Sequence, residues 1–134
     1  MAEGVDTREY EIAIRDDRKV RISIDGSRKR SSQGTDILFI PGFKGFKDWG
    51  GWPWFCGELA TAGHRVFRMN ASMCGVGPAL DSFDEPHKFA RQTLRHDVED
   101  VQAVLEETAL GIESPTLLGH SRGGLVAALC AAEP

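Results

Sequence analysis

Cysteine is scarce in this chain: Cys56, Cys74 and Cys130 are the only three in 134 residues. The count is odd, the spacing is wide and no C-x-x-C occurs, so the pattern supports neither a disulfide framework nor a zinc site. Free thiols in a reducing cytoplasm are the simplest expectation. Long apolar runs are missing as well; none approaches the roughly 20 residues of a membrane span, so no membrane partner is expected. The opening MAEGVDTREY carries charges and no apolar stretch, and no secretory leader is expected there. Excess positive charge is also absent. A formal net charge of −4 argues against nucleic acid as a partner, because a phosphate backbone wants a basic face. The one tight basic run, Arg28-Lys29-Arg30, sits among Ser and Gly and reads as a solvated loop. Asp81, Asp84 and Glu85 do not have the spacing of a metal loop, and no metal or cofactor is expected.

What remains is an ordinary globular composition, 41% hydrophobic and 27% charged, sized for at most one domain. Residues 10–14 (YEIAI) and 20–24 (VRISI) alternate polar with apolar, as strands with one buried and one wet face do. Asp16-Asp17-Arg18 supplies a polar turn between them, so an antiparallel hairpin is expected. A polar loop follows over residues 25–35. Residues 37–40 (ILFI) are continuously apolar, the mark of a strand buried on both faces in a parallel sheet. A helix over 53–62 has Pro53 near its start and Gly63 past its end. Residues 65–69 (RVFRM) make another strand, followed by a loop over 70–85. Pro86 then opens a predicted long helix to about Thr108, with Asp84 and Glu85 at its positive end. Leu94, Val98, Val101 and Leu105 form its apolar stripe. A buried strand over 115–118 and a helix over 124–132 complete the order. The alternation predicts an α/β fold: a hairpin start, then a mostly parallel sheet with helices.

Gly119-His120-Ser121-Arg122-Gly123 matches G-x-S-x-G. About a tenth of chains with this glycine content would hold the pattern by chance, so context decides. Here the match follows an apolar strand and precedes an Ala/Leu-rich helix, the strand-turn-helix setting of a nucleophile elbow. Ser121 at the apex is expected to have strained backbone, with Gly119 and Gly123 making room for the crowded turn. An oxyanion hole needs a second donor from the loop after an earlier parallel strand. Ile40-Pro41-Gly42-Phe43 is such a loop. Gly42 permits close approach, and the amides of Phe43 and Arg122 are the candidate donors.

PGFKGFKDWG (residues 41–50) and GHSRGG (residues 119–124) carry a resemblance to the N-terminal half of an α/β-hydrolase, in a branch related to serine aminopeptidase-like and dienelactone-hydrolase-like enzymes. Many relatives have His-Gly where this chain has Pro41-Gly42, which leaves the backbone donor in place. The resemblance implies helices on both faces of the sheet and a serine nucleophile. It also implies hydrolysis of an ester, thioester or amide of a small-molecule acyl substrate. Its triad order is serine, acid, histidine. After Ser121 the chain has one acid, Glu133, and no histidine. The 134 residues are therefore expected to be a partial domain cut after the elbow, about three strands short of a full sheet. The alternative is a catalytically inactive fragment that serves as an interaction module. The strand ending at Gly119 would then be an open sheet edge, a route to self-association.

The remaining candidates have plainer roles. His120 is expected to pack beside the elbow. His96 and Asp97 are expected on the outside of the sheet, away from the strand ends, and His64 and His87 on the surface. Arg122 is expected to cap carbonyls or meet solvent, ahead of the alternative of binding an acidic substrate group. Trp54 and Phe55 are expected in the core, while Phe43 and Phe46 divide evenly between core and pocket. Cys74, with no base beside it, is expected to be inert.

Overall fold

The structure, a computed structural model, describes residues 5–28 and 30–132. Lys29 of the basic run and Glu133 lie outside them. Five strands form one sheet: β1 (Thr7–Arg15), β2 (Arg18–Asp25), β3 (Asp36–Ile40), β4 (Arg65–Asn70) and β5 (Thr116–Gly119). The order across the sheet is β1-β2-β4-β3-β5. β1–β2 and β2–β4 are antiparallel, while β3 lies parallel to both β4 and β5. The α/β reading with an antiparallel start holds. β3 is buried along its whole length, as its unbroken apolar run implies.

Helices cover both faces. Helix α1 (Trp52–Thr61) packs Cys56, Trp52 and Leu59 against Ile37, Phe39 and Val66. On the opposite face, Val101, Val104, Val126 and Ala127 meet Leu38, Ile40, Phe67, Met69 and the apolar side of the hairpin. These side chains belong to α3 (Leu94–Glu106) and α4 (Arg122–Ala132).

Several expectations need correction. The long helix over 86–108 is two helices. Pro86 starts only a single turn, α2 (Pro86–Phe89), and α3 begins afresh at Leu94. Thr93 caps α3 through the His96 amide, and the His96 ring accepts from the Thr93 amide, a reciprocal cap that competes with a continuous helix. The predicted stripe does pack on the core, with Val101 buried and Leu94, Val98 and Leu105 against it, but the buried face is wider and takes in Asp97, Asp100 and Val104. Two carboxylates can face inward because both are bonded: Asp100 takes the Arg18 guanidinium at 2.8 Å and the Ser72 amide at 2.7 Å. Arg18, assigned to the hairpin turn, instead begins β2 and is buried in this contact. Finally, strand β5 is half-exposed rather than buried, because it sits at the sheet edge.

The polar side of the hairpin is wet on β1, where Glu9 and Glu11 are exposed, but not on β2. Ser23 and Asp25 of β2 and Arg68 and Asn70 of β4 are buried beneath the segment that follows β3. Arg68 bonds Asp25 (2.6 and 3.1 Å), Asp48 (2.8 Å) and the Lys47 carbonyl (2.9 Å). Lys47 is fully buried, and its Nζ meets Ser23 at 2.6 Å and Asp48 at 2.7 Å. Its amide donates to Asn70 at 2.6 Å. Charges taken out of water this far are tolerated only when paired and fully bonded.

Arg68→Met would strand the Asp25 carboxylate and is expected to cost about 3–5 kcal/mol in chemical denaturation, with most of the loss recovered by adding Asp25→Leu. A second carboxylate tests the other end of the sheet. Asp36 is buried, which pushes its carboxyl up, but Arg65, the Glu113 amide and Arg30 outweigh that and hold it below the ordinary range. A lowered folded value means stability that is present above the unfolded carboxyl's pKa, about 3.9, and lost as pH falls through the folded value. Asp36→Asn should therefore flatten the acid limb of a melting-temperature profile below about pH 4.

Candidate active site

Parallel pairing of β3 with β5 aligns Ile40 with Gly119. The loops that leave these strands therefore emerge side by side at the carboxyl edge of the sheet, where ligands of open α/β sheets bind. A backbone bond from the His120 amide to the Ile40 carbonyl, 3.1 Å, fastens one loop to the other. Ser121 stands at the tip with φ of 56°, in the left-handed region that a non-glycine residue enters only under constraint. Helix α4 begins at the next residue.

The crowding that enforces this turn is visible at its glycines. A Cβ on Gly119 would overlap the backbone of Gly123 and Gly124, and one on Gly123 would overlap the Ile40 and Pro41 carbonyls. Gly42 is the point of contact between the two loops: a Cβ there would lie 2.8 Å from the His120 carbonyl and 3.0 Å from the Ser121 Cβ. Phe43 follows it, and Arg122 follows Ser121. Among the described residues, neither of their amides donates to a protein acceptor.

Ser121 opens onto a cleft of about 390 Å³ lined by Gly42, Phe43, Lys44, Gly45, Trp49, Trp52 and His120. Its walls are aromatic. The His120 ring lies 4.9 Å from Trp52, which in turn packs on Phe39 at 4.7 Å. His120 thus packs on Trp52 beside the elbow, but it is exposed and lines the same cleft as Ser121 rather than pointing to the elbow's opposite side. Phe43 is 64% exposed and touches Phe89 at 5.2 Å, while Lys44 Nζ stands over Phe83 and Phe89 at 5.9 and 5.8 Å. Trp54 and Phe55 are exposed, against the expectation of core packing. Trp52, two positions earlier on α1, takes the inward position instead.

A second, smaller space lies behind the Pro41-Gly42 loop. It has room for about 20 Å³, that of one water, and is bounded by Ile40, Gly42, Cys74, Gln92, Asp97, Val101, Arg122 and Val126. Asp97 is therefore not remote from the strand ends. Nor does Arg122 cap carbonyls or meet solvent freely: its Nε and Nη2 reach the Asp97 Oδ2 at 3.2 and 3.1 Å. Gln92 donates to Oδ1 at 2.9 Å. Burial pushes the Asp97 carboxyl up, and Gln92 and Arg122 oppose that push. The sequence did carry a sign of Asp97: it shares the helical face of Val101 and Val104, and a charge there needs a partner. Burial raises the Cys74 thiol to about 11 and the Cys56 thiol to about 12, which leaves both as inert thiols at neutral pH. His64 accepts from the Thr35 amide at 3.0 Å, far along the sheet from Ser121, and His96 is held in the α3 cap.

The left-handed Ser121 makes a stability prediction. Ser121→Gly should raise unfolding stability by about 1 kcal/mol, since glycine enters that region without the Cβ penalty. Ser121→Ala should not, and thermal denaturation of the two variants side by side distinguishes them.

A family model described as the alpha/beta hydrolase fold matches residues 36–134. No curated protein matches the chain. Among solved structures, Est1E from Butyrivibrio proteoclasticus with ferulic acid bound is 22% identical, with a TM-score of 0.70 over 92% of this chain and 47% of its own. Proline iminopeptidase from Mycobacterium smegmatis is 24% identical, with a TM-score of 0.67 over 92% and 39%. An epoxide hydrolase variant from Vigna radiata is 22% identical, with a TM-score of 0.64 over 96% and 35%. The chain spans less than half the length of each of these proteins. At such identities the likeness shows the fold, which many chemistries share. The family model, which covers most of the residues, places the chain in the α/β-hydrolase family.

Proposed function

We propose that this chain carries the nucleophile and oxyanion hole of a serine hydrolase that cleaves an ester, thioester or amide bond in a small acyl substrate. The observation that carries this reading is the left-handed Ser121, set between the Gly42-Phe43 loop and the start of α4 and facing an aromatic cleft. In the proposed reaction the Ser121 Oγ attacks the carbonyl carbon and gives its proton to a histidine. The carbonyl oxygen becomes an oxyanion, held by the amides of Phe43 and Arg122 and favoured by the positive end of α4. Collapse expels the leaving group, which takes the proton from the histidine, and leaves an acyl group on Ser121. Water, activated by the same histidine, then releases the acid.

The histidine and the acid that orients it belong, on this reading, to polypeptide outside these 134 residues. The cleft walls of Phe43, Trp49 and Trp52 favour a flat or apolar acyl group. The bound ferulic acid of Est1E is a ligand of that kind. Three widely spaced cysteines without a C-x-x-C motif fit a reducing, cytoplasmic setting.

A fluorophosphonate probe applied to the full-length natural protein should label Ser121 and abolish hydrolysis of p-nitrophenyl esters. Ser121→Ala should remove both. Equal labelling or turnover in that variant overturns the proposal, and a native protein silent to the probe favours an inactive interaction module.

A further inference from the structure

Arg122 follows Ser121 directly, and the reading above gives its amide a catalytic task. Its side chain does something different. It turns away from the aromatic cleft and meets Asp97 at 3.1 and 3.2 Å, behind the Pro41-Gly42 loop. Three features make that contact more than a surface ion pair.

The first is that this turn is otherwise held through backbone alone, by the close packing of its glycines and the His120–Ile40 bond. Helix α4 opens with Arg122-Gly123-Gly124. Two glycines leave the first turn without side chains to pack, and glycine backbone is the most costly to order. Directly before it, Ser121 is held in a left-handed conformation that costs roughly 1–3 kcal/mol unless the surroundings impose it. Beneath it lies a space with room for a single water rather than packed side chains. Arg122 supplies the polar side-chain contact of this first turn.

The second is the firmness of the anchor. Asp97 is 5% exposed, and each of its oxygens has a partner, Arg122 on Oδ2 and Gln92 on Oδ1. Its amide bonds the Thr93 carbonyl at 3.2 Å, inside the turn fixed by the Thr93–His96 cap. One turn on, Asp100 ties the same helix to Ser72 and Arg18.

The third is direction. The Arg122 Nε hydrogen-bonds Asp97 Oδ2 and Nη2 stands 3.1 Å from the same oxygen, so one edge of the guanidinium faces the carboxylate in a charge-assisted contact.

The geometry points to Asp97 as a positioning residue: through the Arg122 guanidinium it holds the first turn of α4 so that the Arg122 amide stays aimed at the oxyanion. This inference rests on the serine-hydrolase reading. Asp97 touches no reacting atom. Its contribution appears only as the donor's alignment in the transition state, so it should affect kcat rather than ground-state binding.

The test uses the full-length natural protein with p-nitrophenyl acetate as substrate and a trifluoromethyl ketone as transition-state analogue. Losing an oxyanion donor outright costs on the order of 10²–10³ in kcat. A misaimed donor should cost less. Asp97→Ala and Arg122→Met are each expected to lower kcat about tenfold or more with KM changed less than about twofold. Ketone affinity should fall by the same factor as kcat/KM. The double variant should be no worse than the poorer single one, because both break one connection. Asp97→Asn, nearly the same shape without the charge, should show an intermediate loss and keeps the test usable if Asp97→Ala does not fold. Folded variants with unchanged kcat, losses confined to KM, or additive losses in the double variant would each overturn the proposal. Ser121→Ala in the same series separates the two readings. If Ser121→Ala retains turnover, the serine-hydrolase reading itself fails. If it abolishes turnover while the Asp97 and Arg122 variants keep theirs, only the positioning role fails.

Discussion

The buried pairing of Arg68 with Asp25 and Asp48 is the constraint on which the rest of the structure depends. It joins β2, β4 and the segment after β3, with Arg68 and Asp25 buried and Asp48 at the partly exposed rim. Lys47 extends it to Ser23 and, through its amide, to Asn70. An apolar cover on this face could slide or repack with little penalty. A set of buried charges cannot, because each displaced partner would leave an ion in low dielectric. The segment from Pro41 to Gly51 is therefore pinned over the sheet, and Gly42 and Phe43 at its start are held against the elbow.

On the other face a second set of polar contacts does the equivalent work for the elbow. Asp100 fixes α3 to Ser72 and Arg18, and Asp97 reaches Arg122. The two loops that meet at Ser121 are thus gripped from opposite sides of the sheet, one by Lys47 and Arg68, the other by Asp97. Between them the glycines permit approach and the ion pairs decide where it stops. Strain at Ser121 persists because both neighbours are fixed.

Much of the fold could be read from local pattern. The unbroken ILFI run marked β3 as a strand covered on both sides, and G-x-S-x-G between a strand and an Ala/Leu-rich segment marked the elbow. Pro86 misled: it does start a helix, but four residues later the chain turns, and the Thr93–His96 cap begins another. Caps of this kind involve a histidine ring acting as acceptor, which residue-type rules for capping do not anticipate. The hairpin's polar residues misled as well. Alternation in VRISI says that two faces differ in chemistry. It does not say that the polar one is wet, and Ser23 and Asp25 are buried under a loop whose own charges answer theirs.

What the sequence by itself determined, then, was most of what depends on neighbours along the chain, the Thr93–His96 cap excepted. This includes strand and helix periods, the glycines of the elbow, and the α/β order that puts two loops at one edge of the sheet. Only the tertiary structure decided which charges are buried and with whom. Arg18 meets Asp100, Lys47 meets Ser23, and Arg122 meets Asp97 across separations of 82, 24 and 25 residues. A charged side chain looks the same in sequence whether it faces water or a buried partner. The difference lies in the desolvation it suffers and the ion that compensates, and both exist only once distant segments have packed.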